Sequence, residues 1–385
     1  MLRIVLVALT ACATLAGLAH GATPTDPLAP IGSYESVGLT AAWDLETGAP
    51  QVVIAVMDSG VDAAHPDLAG ALVEGHNFVD ESSDTSDPFG HGTAVAGILA
   101  ARANNGLGAV GVCWHCSLLP LRVLRPEGYA LKTAMARAVD YAVERGAAVI
   151  NISLYGETRN GFLHDAIRRA RDAGVLVVSA AGNEGWRLEE YPAAFPDVIS
   201  VGATAADGRL AEFSNRGNWV KLAAPACWPT TELGGGFASG CGTSGSTPIV
   251  AGIVALLRAH APFASAQQIE EALERTATPV AGIRFGRVDA FAAMQALGQP
   301  SLRVRPVIEG FAGVGRTLRA YTGVWSGSGA TFEYRWIRGS AKAVGSGASY
   351  TLRRADRGRR LRCVVTARFG ASVSTVTTGR TERVR

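Results

Sequence analysis

The sequence predicts an α/β fold, a parallel sheet flanked by helices, followed by a small all-β sandwich. Three observations predict it. Apolar runs of strand length before residue 300 are rich in β-branched residues and do not alternate, as expected for strands buried on both faces. Segments of helical length separate them, and repeated strand, helix, strand implies a parallel sheet covered on both sides. After Gly298-Gln299-Pro300 the texture changes to short β-forming runs and glycine turns.

In chain order, the expected strands are Val52 to Val56, Ala148 to Ile152, Val175 to Val178 and Val198 to Val201, and the expected helices are Leu131 to Arg145, Phe162 to Ala173 and Pro248 to His260. Beyond the boundary, Leu318 to Tyr321, Phe332 to Ile337, Ser349 to Leu352 and Leu361 to Ala367 are rich in β-formers, with Trp336 central and Cys363 in a late strand. Ligands of open parallel sheets bind beyond the carboxyl ends of the strands. Asp58 ends the first strand, and His91 and Ser244 are each expected to open a helix.

With 48% apolar and 18% charged residues, 385 residues suffice for one large core plus a small module, and no stretch has the composition of a disordered segment. The expected division is a signal peptide over 1–21, an α/β domain over 22–298 and a basic β-domain over 299–385. Arg3, the apolar run Ile4 to Ala19 and the small residues Ala19 and Gly21 form the expected secretory signal, cleaved before Ala22. A lipoprotein reading at Leu9-Thr10-Ala11-Cys12 is disfavoured by the short apolar run before Cys12. No later run is long and apolar enough to span a bilayer. The net charge of +3 hides an asymmetry: residues 301–385 carry 17 Lys and Arg against 4 Asp and Glu, net +13, which leaves 19 against 29, net −10, for residues 1–300.

Cysteine usage fits an oxidising compartment. Beyond Cys12, four of five cysteines fall in local pairs, Cys113 with Cys116 and Cys227 with Cys241. After a secretory signal these are expected to be disulfides rather than metal or redox sites, and that pairing is the simplest of the three connectivities.

Three short segments carry the chemistry: Asp58 in Met57-Asp58-Ser59-Gly60, His91 in Gly90-His91-Gly92-Thr93, and Ser244 in Gly242-Thr243-Ser244-Gly245. A serine hydroxyl is a poor nucleophile at neutral pH, so it needs an imidazole to take its proton and a carboxylate to fix the imidazole tautomer. When such a nucleophile attacks a carbonyl, the oxygen becomes an anion, which side-chain amides and helix N-terminal N–H groups stabilise. Asn183, in Ala181-Gly182-Asn183-Glu184-Gly185, supplies the first kind of donor and the Ser244 backbone the second. Alone, each of these residues has a commoner structural explanation; their joint occurrence in these contexts points to catalysis.

These motifs, with Pro248, Val250-Ala251-Gly252 and Gly286-Arg287-Val288-Asp289-Ala290, resemble those of the subtilisin-like serine peptidases from about Asp26 to Leu297. The chain order Asp, His, Ser is that of this family, against His, Asp, Ser in the chymotrypsin type. The resemblance implies a secreted serine endopeptidase acting on polypeptides through an acyl-enzyme. It also implies a substrate strand paired with Ser153-Leu154-Tyr155 and a main pocket between that segment and Ala180-Ala181-Gly182. Relatives commonly carry glycine where Tyr155 stands, so a ring there is expected to reshape or cover the groove. Ser246 matches a position usually held by a small residue and is expected to pack. Ala94 replaces a histidine outside the triad, and His65 is expected to be structural.

Further expectations follow from the resemblance. Calcium, a hard cation that takes oxygen ligands, is expected at Asp26, Asp67 and Asn105 with backbone oxygens of Ala103, Leu107 and Ala109. Asp80, Asp84 and Asp87 leave a weaker second site open. The absence of an obvious folding prodomain between the signal and Asp26-Pro27 implies that folding needs no such aid or receives it elsewhere. The last module resembles bacterial immunoglobulin-like repeats through Tyr350-Thr351-Leu352, Ala355-Asp356, Gly358, Leu361 and Cys363, with Ala320 standing where a first cysteine would be, so Cys363 is expected to be a buried thiol. Its charge suggests anionic cell-envelope polymers, or docking on the acidic domain; no nucleic-acid partner is expected. The rival class is a non-catalytic envelope-binding or adhesive protein on the same scaffold, which the complete set Asp58, His91, Ser244 and Asn183 argues against.

Overall fold

The computed structural model describes residues 23–298 and 302–385, apart from residues 126, 157, 326–330, 340–341 and 370–371. The signal segment and Cys12 therefore lie outside the described residues. Among those described, no helix is long and apolar enough to cross a membrane.

Among the described residues, ten strands lie before residue 298: β1 (Val53–Asp58), β2 (His76–Asn77), β3 (Ser117–Arg122), β4 (Val149–Ile152), β5 (Leu176–Ala180), β6 (Val198–Thr204), β7 (Leu222–Pro225), β8 (Cys227–Glu232), β9 (Gly236–Cys241) and β10 (Gly286–Arg287). The helices are α1 (Ile31–Ser36), α2 (Leu39–Trp43), α3 (His91–Ala100), α4 (Lys132–Glu144), α5 (Gly161–Asp172), α6 (Thr243–His260), α7 (Ala266–Thr276) and α8 (Ala290–Gly298). Eight strands form one parallel sheet in the order β10-β7-β6-β5-β4-β1-β3-β2.

Unbroken apolar runs result because successive side chains enter different cores. On β1, Ile54 and Val56 join a cluster that includes Val95 and Ile98 of α3, Ile249 and Ile253 of α6 and Ile269 of α7. Ala55 and Met57 point the other way, toward Met135 and Val139 of α4 and Leu163 and Ile167 of α5. Both faces are thereby dry, which suits a parallel sheet.

The sequence reading missed β3, whose Pro120 discourages a central-strand assignment. Pro120 is tolerated because its carbonyl faces Gly75, 2.0 Å from where a Cβ would sit there. Within a strand a residue's N–H points to the same side as its carbonyl, so the missing donor falls on the flank where β2 is only two residues long. Helix α6 starts at Thr243, next to the expected helix-opening Ser244, and runs through Pro248, where the apolar helical pattern was expected to begin.

In the C-terminal region, β11 (Leu302–Val304), β12 (Ile308–Glu309), β13 (Thr317–Ala320), β14 (Val324–Trp325), β15 (Thr331–Arg338), β16 (Lys342–Ser346), β17 (Ser349–Thr351), β18 (Leu361–Phe369) and β19 (Ser372–Thr377) form antiparallel sheets. The larger ones are β16-β15-β18-β19 and β12-β13-β17. Trp336 and Cys363 face each other across β15 and β18, both fully buried. Cys363 is a free thiol, and burial pushes its pKa up to about 11. Buried Asp356 accepts hydrogen bonds from Tyr350 Oη, Arg338 Nη1 and the Arg353 N–H, which ties together the Tyr350 to Asp356 stretch noted in the sequence.

Candidate active site

The sheet order reverses direction between β1 and β4, and there the expected residues gather. Asp58 is the last residue of β1 and is fully buried. Its Oδ1 lies 2.7 Å from His91 Nδ1 and accepts the Ser59 N–H at 2.8 Å. Oδ2 is buried without a hydrogen-bond partner among the described residues. The Asp58 carboxylate raises the His91 pKa above the usual imidazole value, outweighing the opposing effect of burial. A carboxylate on Nδ1 leaves Nε2 unprotonated in the neutral ring, the tautomer that can accept a proton.

The distance between Asp58 and His91 is set by Ser59 and by Asp87, for which the sequence suggested only a weak cation site. The buried carboxylate of Asp87 accepts from the Phe89 and Gly90 N–H groups and from the N–H and hydroxyl of Thr93, capping the start of α3. It also accepts the Ser59 hydroxyl at 2.8 Å, while Ser59 Oγ accepts the Gly92 N–H at 2.9 Å. The residue after Asp58 is thus tied to the residues on either side of His91. Gly92 permits the approach: a Cβ there would lie 2.1 Å from the Gly60 carbonyl oxygen. An aspartate four residues before a helix-opening histidine was the available signal, but the reading grouped it with its acidic neighbours. Asp80 and Asp84 instead bond the Ser82 and Ser86 N–H groups, and no group of three His, Cys, Asp or Glu converges among the described residues.

Ser244 is the second residue of α6, where backbone N–H groups have no intrahelical acceptor. A Cβ placed on Gly242 would lie 3.4 Å from Ser244 Oγ and 3.5 Å from Asn183 Nδ2, so the hydroxyl and the amide border one small space. Asn183 Oδ1 accepts the N–H and hydroxyl of Thr243 at 2.9 and 3.0 Å, which turns Nδ2 toward the cleft. Ser244 Oγ forms no hydrogen bond to His91 among the described residues; catalytic bonds of this kind often tighten only with substrate present.

Pro248 has a local consequence. Lacking an N–H, it cannot bond the carbonyl of Ser244 four residues earlier. That carbonyl instead accepts Ser153 Oγ at 3.1 Å, fastening the end of β4 to the nucleophile turn. Ser246 is buried and its hydroxyl bonds the carbonyls of Ala224 and Pro225, in keeping with the packing role expected of it.

β4 and β5 pair with Ile152 opposite Ser179, so Ser153-Leu154-Tyr155 and Ala180-Ala181-Gly182 leave the sheet side by side and bound a slot. Leu154 and Tyr155 make no backbone hydrogen bond among the described residues, which leaves an edge for an extended chain. Asn215, another residue missed in the sequence, is fully buried and holds the following loop: it bonds the Ala181 carbonyl, the Glu184 carboxylate and the N–H groups of Glu184 and Trp186.

The oxygen-rich cluster lies apart. Buried Asp26 accepts the N–H groups of Asn104, Asn105 and Gly106, and fully buried Asp67 accepts Asn105 Nδ2 and the Ala109 N–H. Burial raises the Asp67 pKa, against the lowering effect of those bonds. Neither carboxylate pairs with Lys or Arg, and the carbonyls of Ala103, Leu107 and Ala109 accept no hydrogen bond, among the described residues. Two buried carboxylates and idle carbonyls are oxygens of the kind a hard cation takes, while the Asn105 amide directs Nδ2 to Asp67 and its Oδ1 accepts the Leu107 N–H at 2.8 Å. His65 donates from Nε2 to the Gly236 carbonyl and accepts the Asp67 N–H at Nδ1, a supporting role. The disulfides Cys113–Cys116 and Cys227–Cys241 form as expected, the second at the base of the β8–β9 hairpin just before Gly242.

A carboxylate, an imidazole and a helix-opening serine at the carboxyl edge of a parallel sheet define the serine-hydrolase class. The subtilase family model matches residues 49–301, and the chain belongs to that family. It is similar to thermitase of Thermoactinomyces vulgaris, 39% identical over 284 residues covering 71% of this chain and 99% of thermitase. Subtilisin BL of Lederbergia lenta is 37% identical over 246 residues, 63% of this chain and 90% of the relative. A solved protease of Pseudoalteromonas arctica PAMC 21717 superposes with a TM-score of 0.65 at 29% identity, over 71% of this chain and 99% of that one. The chain is a serine endopeptidase of the subtilase type.

Proposed function

We propose that the chain is a secreted endopeptidase that cuts polypeptides through an acyl-enzyme on Ser244. The observation that carries this reading is the 2.7 Å contact between His91 Nδ1 and the fully buried Asp58 carboxylate. Ser244 Oγ attacks the scissile carbonyl carbon while His91 Nε2 takes its proton. Asp58 keeps the proton on Nδ1 and stabilises the imidazolium. Asn183 Nδ2 and the Ser244 N–H hold the oxyanion. The intermediate collapses, His91 returns its proton to the leaving amine, and water then hydrolyses the ester by the same proton route. A serine-directed phosphonate tests this: the adduct is expected on Ser244, and an adduct elsewhere, or none, overturns the assignment. Secretion is supported by the N-terminal apolar segment and by two disulfides, which persist in oxidising compartments.

Calcium is the proposed structural ion, held by Asp26, Asp67, Asn105 and the carbonyls of Ala103, Leu107 and Ala109, where it neutralises buried carboxylates. An ion bound only by the folded state stabilises it by mass action, about 2.7 kcal/mol at a hundred times its Kd. Chelation is therefore expected to lower Tm by roughly 5 °C or more. Asp67→Ala should remove most of that response, and identical melting curves with and without chelator would show that no such ion is held.

The proposed domain division, 22–298 and 299–385, is supported by the separate cores on either side of residue 300. All proposed catalytic groups precede it. The basic module is proposed to recruit the enzyme to anionic envelope polymers, on the strength of its net +13 charge. Removing residues 301–385 should leave kcat/KM on a short peptide within about twofold and abolish salt-sensitive retention on an acidic polysaccharide column. Retention that survives truncation would defeat the recruitment reading.

A further inference from the structure

We propose that Tyr155 determines specificity by closing the pocket for the residue preceding the scissile bond (P1), so that the enzyme prefers small side chains there. This rests on the peptidase reading above. Tyr155 stands on one wall of the slot, and its hydroxyl is fastened to the other. It donates to Glu184 Oε1 at 2.9 Å and accepts from Asn183 Nδ2 at 3.3 Å. Asn183 and Glu184 directly follow Ala180-Ala181-Gly182, so the phenol ring crosses the gap between the walls, and the side chain is half-buried despite its place at the rim.

The far end of this bar is anchored. Glu184 Oε2 accepts the Asn183 N–H at 2.9 Å and Asn215 Nδ2 at 3.0 Å, and Asn215 is itself fully buried against the Ala181 carbonyl. Burial and the Glu184 carboxylate raise the Tyr155 pKa, so the phenol remains a donor at neutral pH. Gly182 offers no side chain as an alternative filler, since a Cβ there would lie 2.3 Å from Asn215 Nδ2. The pocket is thus filled by a ring from the opposite wall. A glycine, alanine or serine at P1 fits beside the closed bar. A phenylalanine or leucine must swing the ring away and break a hydrogen bond to a carboxylate, which is stronger than a neutral one.

The bar touches the oxyanion donor as well. Asn183 Nδ2 carries two hydrogens; one points to Tyr155 Oη and the other is left for the substrate oxygen. Closing therefore does not disable the hole, and the effect falls on side-chain choice rather than on the chemistry common to all substrates.

The test is a set of peptides differing only at P1, cleaved by the full-length enzyme and by Tyr155→Gly and Tyr155→Phe. The ratio of kcat/KM for P1 Phe over P1 Ala should rise about tenfold or more in Tyr155→Gly, which removes the ring. In Tyr155→Phe the ring stays and only its tether is lost, so the ratio should rise by a smaller factor; that variant also preserves packing, and its melting curve guards against misfolding. An unchanged ratio in Tyr155→Gly would overturn the proposal. So would a fall in kcat of equal size for every P1 residue in Tyr155→Phe with the ratio unmoved, which would mean that the hydroxyl only positions Asn183. A phosphonate with a methyl group at P1 separates this from the underlying reading: if it fails to label the wild-type enzyme, the peptidase assignment falls and this proposal with it, whereas labelling with an unmoved ratio defeats the Tyr155 role alone.

Discussion

Ser244→Ala is expected to lower kcat on unfolded casein or a reporter peptide by about a millionfold, the order seen when the nucleophile of a hydroxyl triad is removed. Labelling by a serine-directed phosphonate should vanish with it. The size of the effect follows from the division of labour: without Oγ no acyl-enzyme forms, and His91, Asp58 and Asn183 can only assist direct attack by water. Ser246→Ala is the control. Its hydroxyl is buried and bonded to the carbonyls of Ala224 and Pro225, the last two residues of β7, so its loss is a stability change of about 1 kcal/mol and labelling should persist. Labelling that survives in Ser244→Ala, or disappears in Ser246→Ala, would put the nucleophile at the wrong serine.

The parts of this molecule that were legible in the sequence are those whose physics is local or repeats. β1, β4, β5 and β6 were readable because a strand buried on both faces is apolar along most of its length, without alternation. Asp58, His91 and Ser244 stood out because glycines lie within two residues of each, and Gly92 has no room for a side chain. What stayed hidden depends on partners far apart in the chain. Asp87 caps α3 and grips Ser59, 28 residues away, yet in sequence it is one acid among several. Asn215 stabilises a loop 31 residues earlier and carries no motif of its own. Tyr155 was legible as a departure from glycine, but its tether to Glu184, 29 residues on, was not. Pro120 misled because the rule against proline in central strands concerns the missing donor, and which flank that donor faces is a property of the assembled sheet. Pro248 is accommodated inside α6 for a related reason: its lost bond is replaced by a hydroxyl from Ser153, 91 residues before Ser244.

Asp58→Asn should lower kcat by about ten-thousandfold while leaving the melting temperature close to wild type. The argument is one of tautomers. In the native pair the carboxylate accepts from Nδ1 at 2.7 Å, so the neutral ring presents an unprotonated Nε2 to Ser244. An asparagine amide donates through its nitrogen, favours a proton on Nε2 instead, and leaves the base unable to accept from the serine. The pH profile supplies an independent reading. His91 must be neutral to act as base, and the Asp58 charge raises its pKa above the ordinary imidazole value of about 6.5. The acid limb of kcat/KM in the wild-type enzyme is therefore expected above that value, with activity rising as pH increases through the shifted pKa. Removing the carboxylate removes the largest cause of the shift and leaves burial, which disfavours the imidazolium, opposed only by the smaller effect of the Asp87 charge. The acid limb of the residual activity should accordingly move to lower pH in Asp58→Asn. If activity falls but the limb stays where it was, the group titrating there is not His91 under the influence of Asp58. If the limb moves and kcat is hardly changed, Asp58 tunes the imidazole without orienting it.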